Sequence, residues 1–340
     1  MPHFARITSA FLPSRHRLRQ RACRLLAASI MGCACAAAVA ASYPDRPIRM
    51  MIPFPPGGPN DVLGRLLATE VGKDLGQPIV IENKGGAGGT IGADMVAKAA
   101  PDGYTLLLGG TASLGIAPSL YSRLPYDAVA DFAPVGMVAT SPSLLVVGAR
   151  QPFRNVGELI ARAKAAPGKL NFASAGVGTP THLAAELFKT MAAVDIVHVP
   201  YKGGGPALND LLAGQVEMYF SGIVAAVPLV NQGSLRALAI TSDQRSELMP
   251  DVPTMSEAGL PGYEIQNWFA IFAPAGTPQP VVDRLNKSLA RFLALPAVRS
   301  KMRELNVDPR SSTPQELAAY QGKELRKWSA LVKQAGITPE

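Results

Sequence analysis

Short apolar runs alternate along the chain with longer stretches whose apolar residues recur at helical spacing. Residues 49–54 (RMMIPF) read as a buried strand and 55–59 as a Pro/Gly turn. Residues 60–75 then place Val62, Leu63, Leu66, Leu67 and Val71 on one face, the spacing of an amphipathic helix. Pro59 suits a first helical turn, where a missing N–H is no loss. A second strand at 79–82, the run NKGGAGG, a helix over 91–99 and a strand at 104–109 follow. The middle repeats the theme, with strands at 143–147, 171–174, 196–199, 218–220 and 237–240. Helices at 156–165, 181–191 and 207–212 fall between them. A strand at 268–272 and helices over 280–293 and 314–336 close the chain.

Strands alternating with helices predict an α/β fold, mostly parallel, with helices on both faces of the sheet. Ligands in such folds bind beyond the carboxyl ends of strands. Five Gly-rich connections lie there, at 55–59, 84–90, 109–115, 175–179 and 202–206. Several α/β units rather than one continuous run predict two lobes with a cleft between them.

Charge changes the picture only at the N-terminus. The formal net charge is +8, with 33 basic and 25 acidic residues among 340. Residues 1–42 hold six arginines and no acid, so the remainder carries 27 basic against 25 acidic residues, a net of +2. A body so nearly neutral has no footprint for a polyphosphate backbone, and no nucleic-acid partner is expected. The order in residues 1–42 is Arg-rich, then apolar, then Ala38-Val39-Ala40. This is the layout of a signal peptide cleaved near 40–42, and it predicts export. All three cysteines (Cys23, Cys33 and Cys35) lie in this segment. The body therefore has no thiol chemistry and no Cys-ligated metal; a lipoprotein site at Cys33 fits poorly, with Met31 two residues before it.

Enzyme signatures fail one by one. TASLG around Ser113 and FASAG around Ser174 each lack the first Gly of a hydrolase elbow. Gly86-Ala87-Gly88 is followed by Ile91 where a dinucleotide fingerprint needs Gly. Gly168-Lys169 lacks the rest of a phosphate loop. Two histidines, His182 and His198, remain after residue 42, with no metal-ligand spacing. No cofactor, metal or catalytic residue is expected.

What the glycine loops can do is bind an anion. Helix N-termini offer unpaired N–H groups and the positive end of a dipole, and small residues let a ligand approach. Gly57 and Gly58 precede one predicted helix. Gly176, Gly178 and the hydroxyls of Ser174 and Thr179 precede another. Two such sites facing across a cleft suit a small molecule with one or two carboxylates. Each residue also has a plainer reading. Gly is common in turns, Asp61 can be a helix cap, His182 a satisfied helix histidine and Lys202 a solvated charge.

The motifs PFPPGGPND, ENKGGAGGTIGADMVAKAAPDGYTLL, FASAGVGTPTHLAAELF, VPYKGGGPALNDLLAGQVEMYF, LRALAITSDQRSELMPDVPTMSEAGLPGY and WFAIFAPAGTP occur in this order. With them the sequence resembles the Bug family, extracytoplasmic receptors of tripartite tricarboxylate transporters. The resemblance implies a periplasmic, monomeric binding protein of Venus-flytrap form, with two lobes joined by two crossing strands. Lobe 1 would comprise 43–142 plus 268–340 and lobe 2 residues 143–267. The ligand would be a di- or tricarboxylate, acidic amino acid or aromatic acid, and the partner a membrane permease or a sensor protein. Carried over by position, first-lobe contacts would be Phe54, Gly57, Gly58, Asn60 and Asp61. Second-lobe contacts would be Ser174, Gly176, Gly178, Thr179 and His182, with Lys202 and Gly203 at the rim and Ser221 tuning specificity. One departure stands out. Pro59-Asn60 replaces the usual Ser or Thr before Asp61, removing one N–H and one hydroxyl, which points to a smaller or less charged ligand.

Overall fold

The structure is a computed structural model and describes residues 43–57, 59–305 and 307–337. Strand β1 (Ile48–Ile52) is buried on both faces apart from Arg49, whose side chain is exposed. It lies between parallel β2 (Ile79–Asn83) and β3 (Thr105–Gly110). Helices α1 (Pro59–Leu75) and α2 (Thr90–Ala97) make the crossovers. A helical turn at Thr111–Ile116 runs into the short α3 (Ala117–Leu120).

The chain then enters β4 (Phe132–Gly148), a strand of 17 residues. Its first part, Phe132 to Pro142, pairs antiparallel with β9 (Gln266–Pro274), which also borders β3. Its second part, from Ser143, pairs with β7 (Met218–Gly222) and β8 (Leu235–Ile240). The change of partner falls at Pro142, which has no N–H to give to a ladder. Beyond it, β5 (Asn171–Ser174) lies parallel to β7 and to β6 (Val197–Pro200). Helices α4 (Val156–Ala165), α5 (Pro180–Ala192), α6 (Gly204–Ala213) and α7 (Ile223–Asn231) belong to this half. Parallel pairing is thus confined to the two wings, and the strands that join them are antiparallel. The result is a two-lobed α/β binding-protein fold.

Side chains of β4 alternate between two cores. Leu145 and Val147 join Phe172, Phe188 and Phe220, whereas Leu144 and Val146 join Leu211, Tyr219 and Ile240. A third core gathers Met51, Leu107, Phe132, Trp268 and Phe272 around β9.

The C-terminal region holds three helices where the pattern predicts two: α8 (Gln279–Ala294), α9 (Pro296–Glu304) and α10 (Pro314–Gln334). Helix α9 escapes the pattern because only Val298 and Met302 are buried in it. Helix α10 starts from a capping box in which Thr313 and Glu316 bond reciprocally. It then spans two cores, with Leu317 in that of β9 and Trp328, Leu331 and Val332 in that of Phe172. Among the described residues no helix is long and apolar enough to cross a membrane.

Candidate functional site

The loop after β1 is held by Asp61, in the first turn of α1. Its carboxylate accepts from the Gly57 N–H (2.9 Å), Arg65 Nε (2.9 Å) and Asn83 Nδ2 (3.0 Å). Asn83 also donates to the Phe54 carbonyl at 3.1 Å. Asp61 is buried, and its bond from Arg65, then that from Gly57, lowers its pKa to about 2. The residue is a brace that fixes Phe54 and Gly57. The Phe54 ring packs on Gly89, where an added Cβ would stand 3.3 Å from Cζ. Gly58 lies outside the described residues, as does the predicted signal segment at 1–42.

The loop after β5 is knitted as tightly. The Gly176 N–H donates to Ser174 Oγ (3.1 Å), and Thr179 Oγ1 donates to the Gly176 carbonyl (2.7 Å). Thr179 caps α5. The Gly178 N–H donates to His182 Nδ1 at 3.1 Å, so the neutral ring carries its proton on Nε2. Gly178 itself has φ +72°, and a Cβ there would meet Leu120 Cδ1 at 2.7 Å, so the loop touches α3 of the other half. The His182 and His198 rings stack at 3.9 Å, with Phe172 stacked on His198 at 4.8 Å. Burial, then the neighbouring His198 and Lys189, pushes the His182 pKa down to about 4; burial and Lys189 bring His198 to about 4.

Two adjoining cavities, of about 370 and 350 Å³, lie among these loops and share Phe54, Ala112 and Pro180. Of the predicted residues, Phe54, Asn60, Gly178 and Thr179 line them. Gly57, Asp61, Ser174, Gly176 and His182 line neither cavity; Asp61, Ser174 and His182 are buried, and each accepts from a glycine N–H of its loop. Ser221 is buried at the end of β7, with its hydroxyl turned to the Gly222 carbonyl. Lys202 is exposed and Gly203 precedes α6; neither lines either cavity. The pattern did not single out Gly88, Thr111, Tyr121, Ser141, Pro180 or Asn267, which do line the cavities. Gly88 and Thr111 sit in two of the predicted loops; Tyr121 and Asn267 carry no such signature.

The chemistry available is recognition. Ser174 Oγ lies 2.6 Å from His198 Nε2, the spacing of a nucleophile and base. The serine, however, is fully buried and lines neither cavity. Asp61 and His182 Nδ1 are engaged as described. Among the described residues no group of three or more His, Cys, Asp or Glu side chains is placed to hold a metal. A third cavity, of about 430 Å³, is charged and lined by Arg245, Arg299, Arg303 and Arg310 among others. Thr140 and Gln266 floor it, on the face of β4 and β9 opposite Ser141 and Asn267.

Residues 63–337 match the TctC family, described as the tripartite tricarboxylate transporter family receptor. The chain belongs to that family. Protein BugT of Bordetella pertussis is 40% identical over 296 residues, covering 87% of this chain and 91% of BugT. Among solved structures, the periplasmic binding protein BugD superposes with a TM-score of 0.71 at 38% identity, covering 88% of this chain and all of BugD. A Rhodopseudomonas palustris protein, Rpa4515 with adipate, matches at TM-score 0.74 and 38% identity, over 88% of this chain and 100% of that one. MatC of the same organism, with bound malate, matches at 0.70 and 38%, over 85% and 100%. The family is thus one of transporter receptors, and BugD is a periplasmic binding protein.

Proposed function

We propose that this chain is an exported receptor that binds one small carboxylate in the cleft between its lobes and delivers it to the membrane permease of a tripartite tricarboxylate-type transporter. The observation that carries the reading is the pair of cavities built jointly by the loop after β1 and the loop before α5, each at a helix N-terminus. The carboxylates bound by the two Rhodopseudomonas relatives support the ligand class. Lobe 1 is 43–142 plus 268–340 and lobe 2 is 143–267, a division supported by the change of partner along β4 at Pro142. Helix α10, on this division, straps the two lobes. A ligand held first by one lobe draws the other over it. Closure is then a population shift, driven by the hydrogen bonds and apolar packing that the ligand makes only with the closed state.

The test is a thermal-shift panel of mono-, di- and tricarboxylates, acidic amino acids and aromatic acids on protein refolded to strip bound ligand. A ligand at 100 times its Kd stabilises by about 2.7 kcal/mol, and it should be recovered chemically unchanged. A panel with no stabilising member overturns the proposal, as does a ligand recovered as a new compound.

A further inference from the structure

Helix α10 reaches the cleft through its C-terminal cap. Gly336 turns left-handed there, at φ +64°. Its N–H donates to the Lys333 carbonyl at 3.3 Å, and the Ile337 N–H donates to the Val332 carbonyl at 3.1 Å. These paired bonds are those of a Schellman motif, which folds the chain back over the last turn of its helix. Ile337 is thereby packed, half-buried, against the core that holds Trp328, Leu331 and Val332. It also lines the cavity of about 370 Å³, together with Leu120 of one half and Val177 of the other.

Ile337 has nothing to offer a carboxylate. Its side chain is a hydrocarbon, and its N–H is taken by the Val332 carbonyl. On the carboxylate-receptor reading above, the anionic end of the ligand belongs at the helix N-termini of α1 and α5. The side-chain hydroxyls of this cavity are those of Tyr121 and Thr179. What meets Ile337 is the carbon body of the ligand. We infer that Ile337 sets the length of body that the cleft accepts, a specificity-determining residue that neither glycine loop supplies; the inference rests on that reading. A body that is too short leaves the apolar wall uncovered and forfeits its burial. One that is too long meets a β-branched side chain, stiff at χ1, on a backbone that the cap locks. An apolar pocket separates homologues that differ by one methylene roughly 10–200-fold, so a single wall residue is enough to set a preference.

Calorimetric titration of the purified protein, Ile337→Ala and Ile337→Phe tests this with two homologous series. One runs through the straight-chain dicarboxylates from succinate to suberate, the other through the para-alkylbenzoates from benzoate to para-propylbenzoate. Within a series that wild type binds, Ile337→Ala is expected to shift the affinity ratio about tenfold toward the longer members, and Ile337→Phe about tenfold toward the shorter. A general loss of stability weakens every member together and cannot produce opposite shifts from a smaller and a larger side chain. A ratio unchanged in both variants, or shifted the same way in both, overturns this inference and leaves the receptor reading standing. Binding of neither series by wild type overturns it too, and the wider thermal-shift panel then decides the receptor reading separately.

Discussion

Asp61 accepts from three donors and lines neither cavity, so its role is separable from recognition. Asp61→Ala leaves the Gly57 N–H and Asn83 amide without their acceptor and is expected to destabilise the protein by about 1–3 kcal/mol, measured by urea unfolding. Unchanged stability with abolished ligand binding would instead make Asp61 a direct contact. The stacked histidines give a second prediction. Folded, His182 and His198 titrate near 4; unfolded, they titrate near 6.5. Between those values the unfolded chain binds protons that the folded chain refuses. Stability is therefore full above about pH 6.5 and falls as pH drops through the window to 4. Glu186, at 3.7 Å from His182 Nε2, favours the protonated ring, whereas Lys189 opposes it. Burial outweighs both, and a group shifted this far contributes on the order of 3 kcal/mol. His182→Gln should flatten the pH profile of urea unfolding between pH 7 and 4.5; a profile as steep as wild type would contradict this account.

At the level of elements, Trp328 tests how α10 joins the halves. It is fully buried, and its indole N–H donates to Glu324 at 3.0 Å. Trp328→Ala opens a cavity in the second-half core and leaves the buried Glu324 carboxylate short of a donor. The expected loss is about 3–5 kcal/mol in urea unfolding, and a loss under about 1 kcal/mol would show that the helix only rests on that half. Gly110→Ala is expected to prevent folding into this arrangement, because its Cβ would overlap the Trp268 carbonyl oxygen, a backbone atom that cannot swing aside. Soluble, cooperatively unfolding protein from that variant would contradict the packing of β3 on β9. The elements legible in the sequence are those whose apolar residues are all buried or cleanly periodic, such as β1, α1 and α5. Less legible were β4, whose first part is interrupted by Pro134, Gly136 and Pro142, and α7, which carries Pro228 inside it. For the site, the glycine loops pointed to Gly178 and Thr179, and the family resemblance to Phe54 and Asn60. Tyr121, Asn267 and Ile337 reach the cavities only through the tertiary path of the chain, and no local pattern marks them.

For the whole molecule, the account rests on a cleft that recognises and releases without transforming. Loops from both halves meet there through packing such as Gly178 on Leu120, and the proposed closure would act on these same residues. The most direct measurement is isothermal titration of the carboxylate that stabilises the protein most in the thermal panel, with the heat signal followed long after the last injection. The account predicts a saturating isotherm with one ligand per chain and a return to baseline. A heat flow that persists after saturation would reveal turnover, and the absence of any saturable heat would leave the cleft without its ligand; either contradicts a carboxylate receptor.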